Sequence, residues 1–320
     1  MTTRRAILAT PALLATPALA QEGFPTRAIV AASGYAPGGV TDVTSRAVAQ
    51  RMERELGVPV VIENRVGAAT AIANTYVSQA RPDGYTLLMG TSTLAINPGL
   101  QPNLTPREPM RELVPVGMIF RSAFALHVHP DLPVRNTAEL IAYCKANPGK
   151  LNFGSSGTGA VNHLALALFA ARTGIDVVHV PFRGGTPALI ELRAGRIHAM
   201  FQALLESLPT MREGATRGLA ISSTTRSSMA PELPPVADTV PGFEAIFWQG
   251  LFAPAGTPEP VIRKLSAALH AATEDATLRS RMAEQGVDVV TGDAGYLRDL
   301  LARETGMWGE LIRGSNIRAE

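Results

Sequence analysis

The chain has 320 residues, 46% of them hydrophobic and only 5% aromatic, with 29 glycines, 24 prolines and a formal charge of +2. This composition suits an α/β protein of two lobes, each with room for a sizeable core. It excludes two classes: no basic run with interleaved aromatics points to nucleic acid, and a lone cysteine, Cys144, rules out an intramolecular disulfide.

Residues 1–20 read as a cleavable export signal, with Arg4 and Arg5, an apolar stretch from Ala6 to Leu14, then Ala18-Leu19-Ala20 before Gln21. The motif Thr3-Arg4-Arg5-Ala6-Ile7-Leu8 also resembles a twin-arginine signal. Ordinary signals carry paired arginines too, so both export routes stay open. Without the leader, 27 basic residues face 27 acidic ones. No later segment offers the roughly twenty uncharged apolar residues that a membrane-spanning helix needs.

The organising stretch is Tyr35-Ala36-Pro37-Gly38-Gly39-Val40-Thr41-Asp42. An apolar run at residues 28–33 predicts a buried strand before it. Val48, Met52 and Leu56, four apart, predict a helix after it that Gly57 ends. A second strand follows at residues 58–62, then a turn at 63–67, a helix over 70–80, a strand over 85–89 and a polar turn at Gly90-Thr91-Ser92-Thr93. Three strands joined by two helices predict a doubly wound sheet, whose ligands sit beyond the strands' carboxyl ends.

Residues 98–115 read as proline-rich and irregular, and two short strands follow at 116–120 and 124–129. The α/β pattern then restarts: a helix over 137–146, a strand over 151–153, a turn at Gly154-Ser155-Ser156-Gly157-Thr158-Gly159, a helix over 160–171 and a strand over 176–180. A turn at residues 181–186, a helix over 187–194 and strands at 197–201 and 218–222 complete this half. After a proline-rich stretch, a strand at 247–253 and helices over 259–274, 277–285 and 296–312 close the chain. Each half therefore has a glycine turn between a strand end and a helix start, where backbone N–H groups can meet an anion. The glycines could equally do no more than permit the turn, with Thr41 or Asp42 only capping the helix.

Catalytic signatures are weak. Gly154-Ser155-Ser156-Gly157-Thr158 lacks the last glycine of a nucleophile elbow, and neither Gly157-Thr158-Gly159 nor Pro148-Gly149-Lys150 completes a nucleotide motif. His127 and His129 share a strand face without a ligand partner at metal spacing. His163 and His179 read as internal hydrogen-bonding residues, and Cys144 as a buried helix residue.

The chain resembles the tripartite tricarboxylate transporter substrate-binding proteins, the Bug family of bacterial periplasmic receptors, nearly end to end after the leader. Ala36-Pro37-Gly38-Gly39 with Thr41-Asp42, Glu63-Asn64-Arg65, Pro82-Asp83-Gly84-Tyr85, Ala95-Ile96-Asn97-Pro98, Gly154-Ser155, His179-Val180-Pro181-Phe182-Arg183-Gly184 and Ala253-Pro254-Ala255-Gly256-Thr257-Pro258 carry the resemblance. It implies an α/β, two-lobed periplasmic binding protein fold, type II-like, with a hinge and an interlobe ligand cleft. Lobe one would be residues 21–120 plus 247–320 and lobe two residues 121–246, with crossovers near Arg121 and Phe247. It also implies a monomeric receptor that is not an enzyme, carries no cofactor or metal, takes a small carboxylate and serves the membrane subunits of a tripartite tricarboxylate transporter. A sensor-coupled receptor and an exported enzyme on the same scaffold are the alternatives.

The ligand residues expected from the turns and the resemblance are Tyr35, Gly38, Gly39, Thr41, Asp42, Thr91, Ser92, Ser155, Ser156, Gly157, Thr158, Phe182, Arg183, Gln202 and Trp248. Arg183 is the nearest cation to a carboxylate held mainly by backbone N–H groups. Ser33-Gly34, Ala160-Val161 and Gln202 depart from the family pattern. Gln202 stands where an aspartate is usual and Ala160-Val161 where hydroxyl residues are common, so the resemblance predicts a pocket less acidic and less hydroxylated than usual, one that weakens amino-acid specificity and favours plain mono- or dicarboxylates, aliphatic or aromatic.

Overall fold

The computed structural model describes residues 23–182, 184–284, 287–315 and 317–318. The expected leader and Arg183 lie outside the described residues. Strand β1 (Ile29–Ser33) pairs in parallel with β2 (Val60–Asn64) on one side and β3 (Thr86–Thr91) on the other. Helix α1 (Val40–Leu56) connects the first two and buries Val48, Ala49, Met52 and Leu56, the face that its four-residue spacing predicts. Gly57, at φ 71°, closes α1 by donating its N–H to the Glu53 carbonyl, a left-handed cap that an L side chain would strain.

Helix α2 (Ala71–Ser78) leads into β3, and α3 (Thr93–Leu100) follows β3 directly. The sequence predicts irregular chain from residue 98, yet α3 runs through Pro98. Packing overrides the proline: Leu94, Ala95 and Ile96 are buried, and a Cβ on Gly99 would lie only 3.2 Å from Gly309 Cα in the C-terminal helix. A single turn, α4 (Pro109–Glu112), precedes β4.

Strand β4 (Leu113–Val128) is one continuous strand where the sequence predicts two. Its first part pairs antiparallel with β9 (Ile246–Pro254), from Leu113 opposite Pro254 to Ala123 opposite Ile246. Its last part pairs with β7 (Ala199–Ala203) and β8 (Arg217–Ile221), beginning at Phe124 opposite Ala203. The strand thus changes partners between Ala123 and Phe124 and carries the chain from one half of the molecule to the other.

In the second half, α5 (Thr137–Ala146), β5 (Asn152–Ser155), α6 (Val161–Thr173), β6 (Val178–Pro181) and α7 (Gly185–Arg193) precede β7, with α8 (Leu204–Arg212) before β8. Strand β5 lies parallel to β6 and β7. Asn136 caps α5: its Oδ1 accepts the Glu139 N–H at 2.8 Å, while Glu139 Oε2 accepts the Arg135 N–H at 2.7 Å, an arrangement worth about 1 kcal/mol. Cys144 is buried in this helix, and burial pushes its thiol up to about 11, which leaves it inert.

The chain returns to the first half through β9. Helix α9 (Glu259–Glu274) packs on α1, α10 (Ala276–Glu284) follows, and β10 (Asp288–Gly292) pairs with β4. Helix α11 (Ala294–Gly314) lies across α3, β4 and α6. The sheet order β2-β1-β3-β9-β4-β7-β5-β6 therefore joins two α/β halves through β4 and β9.

Candidate functional site

Where the two halves meet, a cavity of about 480 Å³ opens above the exchange point of β4. The first half contributes Gly34, Tyr35, Val40, Val66, Gly67, Ala69, Thr70 and Thr93. The second contributes Ser156, Ala160, Val161, Asn162, Gly185, Gln202, Ala203 and Glu206, while Ser122, Phe124 and Phe247 come from the joining strands. The N-terminal turns of α1, α2, α3, α6, α7 and α8 all reach the lining. Their first N–H groups have no carbonyl to meet within their own helix, so the lining favours a negative charge.

On the first-half wall, Tyr35 Oη and Thr91 Oγ1 share a hydrogen bond at 3.1 Å. From there Thr91, Thr93 and Thr70 form a chain of hydroxyls at 2.9 and 2.8 Å that ends on the Asn74 amide. Burial raises the Tyr35 phenol above its ordinary value, the two threonine bonds only partly offsetting this, so it remains a neutral donor. The neighbouring backbone is strained: Ala68, Ala69 and Thr70 have φ of 45°, 48° and 75°, in the left-handed region that costs a non-glycine residue about 1 kcal/mol or more. Asn97 holds the segment by donating to the Ala69 carbonyl at 2.9 Å. Gly34 lets it approach, since a Cβ there would lie 2.5 Å from Thr70 Cβ.

The predicted turns are present, but several of their amides already have partners. Gly38 N–H donates to Asp42 Oδ2 at 3.0 Å, and Asp42 also receives Arg46 and Asn64. Burial alone would raise the Asp42 carboxyl; these hydrogen bonds and the Arg46 charge outweigh it and hold the group below the usual range. Asp42 is thus an ionised clasp for the turn, and neither it nor the buried Thr41 lines the cavity. In the second turn, Gly157 N–H donates to Ser155 Oγ, Ser156 N–H to Asn162 Oδ1 and Gly159 N–H to His163 Nδ1. The anion-seeking groups are therefore the first-turn amides of α1 and α6, beginning at Val40 and Val161, rather than the amides of Gly38, Gly157 and Gly159 before them.

Strand alternation accounts for other displacements. Ser156 faces the cavity, while Ser155 turns inward to His179 Nε2 at 2.6 Å. The His179 ring stacks on His163 at 3.7 Å, and burial, with His179 beside it, pushes His163 down to about 4, so this pair is a structural brace. Phe247 lines the cavity and its neighbour Trp248 does not: Trp248 is fully buried, with its indole N–H donating to Glu304 Oε2 at 2.7 Å. Ser92 is likewise buried away from the lining, and Phe182 packs against the small cluster around Leu189 and Ile197. His127 is buried and shares a hydrogen bond with Thr216.

Gln202 reaches the cavity and donates from its amide to Glu206, one turn into α8. Glu206 supplies a carboxyl beside the amide, and among the described residues it is the only charged side chain in the lining.

A two-lobed α/β scaffold with its cavity between the lobes, faced by helix N-termini, defines a solute-binding receptor. Residues 44–317 match the receptor of the tripartite tricarboxylate transporter family. The chain is 33% identical over 293 residues to the protein BugT of Bordetella pertussis, covering 91% of this chain and 90% of that one. Among solved structures it is similar to the periplasmic binding protein BugD, with 29% identity, a TM-score of 0.75 and coverage of 93% and 100% of the two chains. It is also similar to MatC of Rhodopseudomonas palustris with bound malate, with 31% identity, a TM-score of 0.74 and coverage of 90% and 100%. The chain belongs to the tripartite tricarboxylate transporter receptor family, whose members are substrate-binding receptors and not enzymes.

Proposed function

We propose that this receptor captures a small carboxylate between its lobes in the periplasm and delivers it, as a monomer, to the membrane subunits of a tripartite tricarboxylate transporter. Residues 1–20 would direct export and be removed. The observation that carries the reading is the interlobe cavity of about 480 Å³, with helix N-terminal turns in its wall and no lysine or arginine lining it among the described residues. The malate bound by MatC supports the same class of ligand.

Of the expected ligand residues, Tyr35, Ser156 and Gln202 would touch the ligand directly. Gly38, Gly39, Thr41, Asp42, Thr91 and Ser155 would shape the turns. Lobe one would be residues 21–120 with 247–320 and lobe two residues 121–246, hinged where β4 changes partners. The contact of Gly159 with Leu100, so close that a Cβ on Gly159 would collide with the leucine, would form on closure.

A thermal-shift screen against a carboxylate panel tests the reading. A ligand at about a hundred times its Kd should stabilise the fold by roughly 2.7 kcal/mol, and small-angle scattering with that ligand should show a smaller radius of gyration. A panel in which no carboxylate shifts the melting temperature would contradict it.

A further inference from the structure

We infer that the natural ligand is an amino-carboxylate, whose ammonium group is received by Glu206 and Gln202 while its carboxylate faces the starts of α1 and α6. The inference rests on the carboxylate reading above and narrows it to one ligand class.

The cavity is polarised from end to end. Glu206 lies in the first turn of α8 and beside the start of α7, since a Cβ on Gly185 would lie 2.8 Å from Glu206 Oε2. The absent side chain at Gly185 is what lets Glu206 and Gln202 occupy this corner, because a Cβ there would collide with the Gln202 amide. Two helix N-termini next to a carboxylate favour its ionised form. Burial acts in the other direction and raises the Glu206 carboxyl, offset in part by the Gln202 amide. The residue is nevertheless exposed, so water reaches its carboxylate, the form that the two helix ends favour.

With Glu206 ionised, the positive ends of α7 and α8 are already answered. A ligand carboxylate is repelled from that corner and drawn to Val161 and Val40, where no acidic side chain among the described residues lines the wall; Asp42, in the first turn of α1, is buried and paired with Arg46. Between the two ends the wall is apolar, with Val66, Phe124 and Phe247. A second carboxylate on the ligand would meet Glu206 as a like charge, and an alkyl end would displace its water and leave the Glu206 carboxylate with the Gln202 amide alone. An ammonium satisfies it with a charge-assisted hydrogen bond.

Calorimetry on the purified protein separates the possibilities with matched probes: 6-aminohexanoate against hexanoate and adipate, and leucine against 4-methylpentanoate. The amino member of at least one set should bind about tenfold tighter or more than its nitrogen-free partners. Glu206→Gln, which keeps the side-chain shape, should erase that preference without lowering the melting temperature of the unliganded protein. Equal or tighter binding of the nitrogen-free acids, or a preference that survives in Glu206→Gln, would overturn the inference and leave the carboxylate reading standing. No binding by any of the five probes would remove the inference and count against the carboxylate reading as well.

Discussion

Ala160→Trp is expected to abolish ligand binding while leaving the protein folded. Ala160 is the residue before α6, half-buried, with its side chain in the cavity wall. Its backbone, at φ −64° and ψ 154°, is open to any L residue, so the substitution brings no backbone strain. An indole placed there occupies ligand space next to the amides of Val161 and Asn162. Affinity for the carboxylate that most stabilises the wild type should fall by at least about a hundredfold, or ~2.7 kcal/mol. Calorimetry reads the loss and circular dichroism confirms the fold; unchanged affinity in a folded variant would show that the ligand sits elsewhere. Gly157, which looks an equally good target in the sequence, is a poorer one because its φ of 135° makes any side chain strained.

Glu304→Gln is expected to stabilise the protein at alkaline pH and to have little effect in acid. Glu304 is buried in α11 beneath the indoles of Trp248 and Trp308, which both donate to its Oε2. Burial raises its carboxyl to about 7, against the pull of the two indoles and of Arg303. A carboxyl whose folded value lies above its ordinary 4.5 holds its proton more tightly when folded. Its contribution to stability is therefore complete below about pH 4.5 and is lost as pH rises through about 7. The loss comes to about 3 kcal/mol. Glutamine keeps an acceptor for the indoles and cannot ionise. The melting temperature of Glu304→Gln should exceed that of the wild type by several degrees at pH 8.5, with the gap closing by pH 4.5. A gap of constant size across that range would assign the effect to packing and not to the proton.

Local signals made much of the fold legible. Helices α5 and α9 occupy the residues predicted for them, because Asn136 and Pro258 mark their starts and the apolar spacing within them is regular. Elements held by long-range contacts were hidden. Helix α3 contains Pro98 and α8 contains Pro209, and the sequence reading assigns neither segment to a helix. Strand β10 carries only Val289 and Val290 as apolar residues and exists because the edge of β4 pairs with it. Strand β4 reads as two strands because Arg121 and Ser122 interrupt its apolar run at the point where it changes partners.

The site was legible to the level of the turn and not of the side chain. Period-two alternation decides whether Ser155 or Ser156, and Trp248 or Phe247, faces the cavity, and a one-residue offset reverses the answer. The left-handed backbone at Ala68, Ala69 and Thr70 had no signal at all, since Thr70 reads as the start of a helix and no glycine or asparagine stands at the three positions. Glu206 could have been found: it lies four residues after Gln202, and a carboxylate in the first turn of a helix that follows a strand end is placed to face the same edge.

The measurement that tests the central claim most directly is calorimetric titration of one carboxylate ligand and its primary amide. If helix N-termini at Val40 and Val161 neutralise the carboxylate, each contributes on the order of 0.3 to 2 kcal/mol. Together they should make the amide about threefold to about a thousandfold weaker. Equal affinities for acid and amide would contradict capture by helix N-termini.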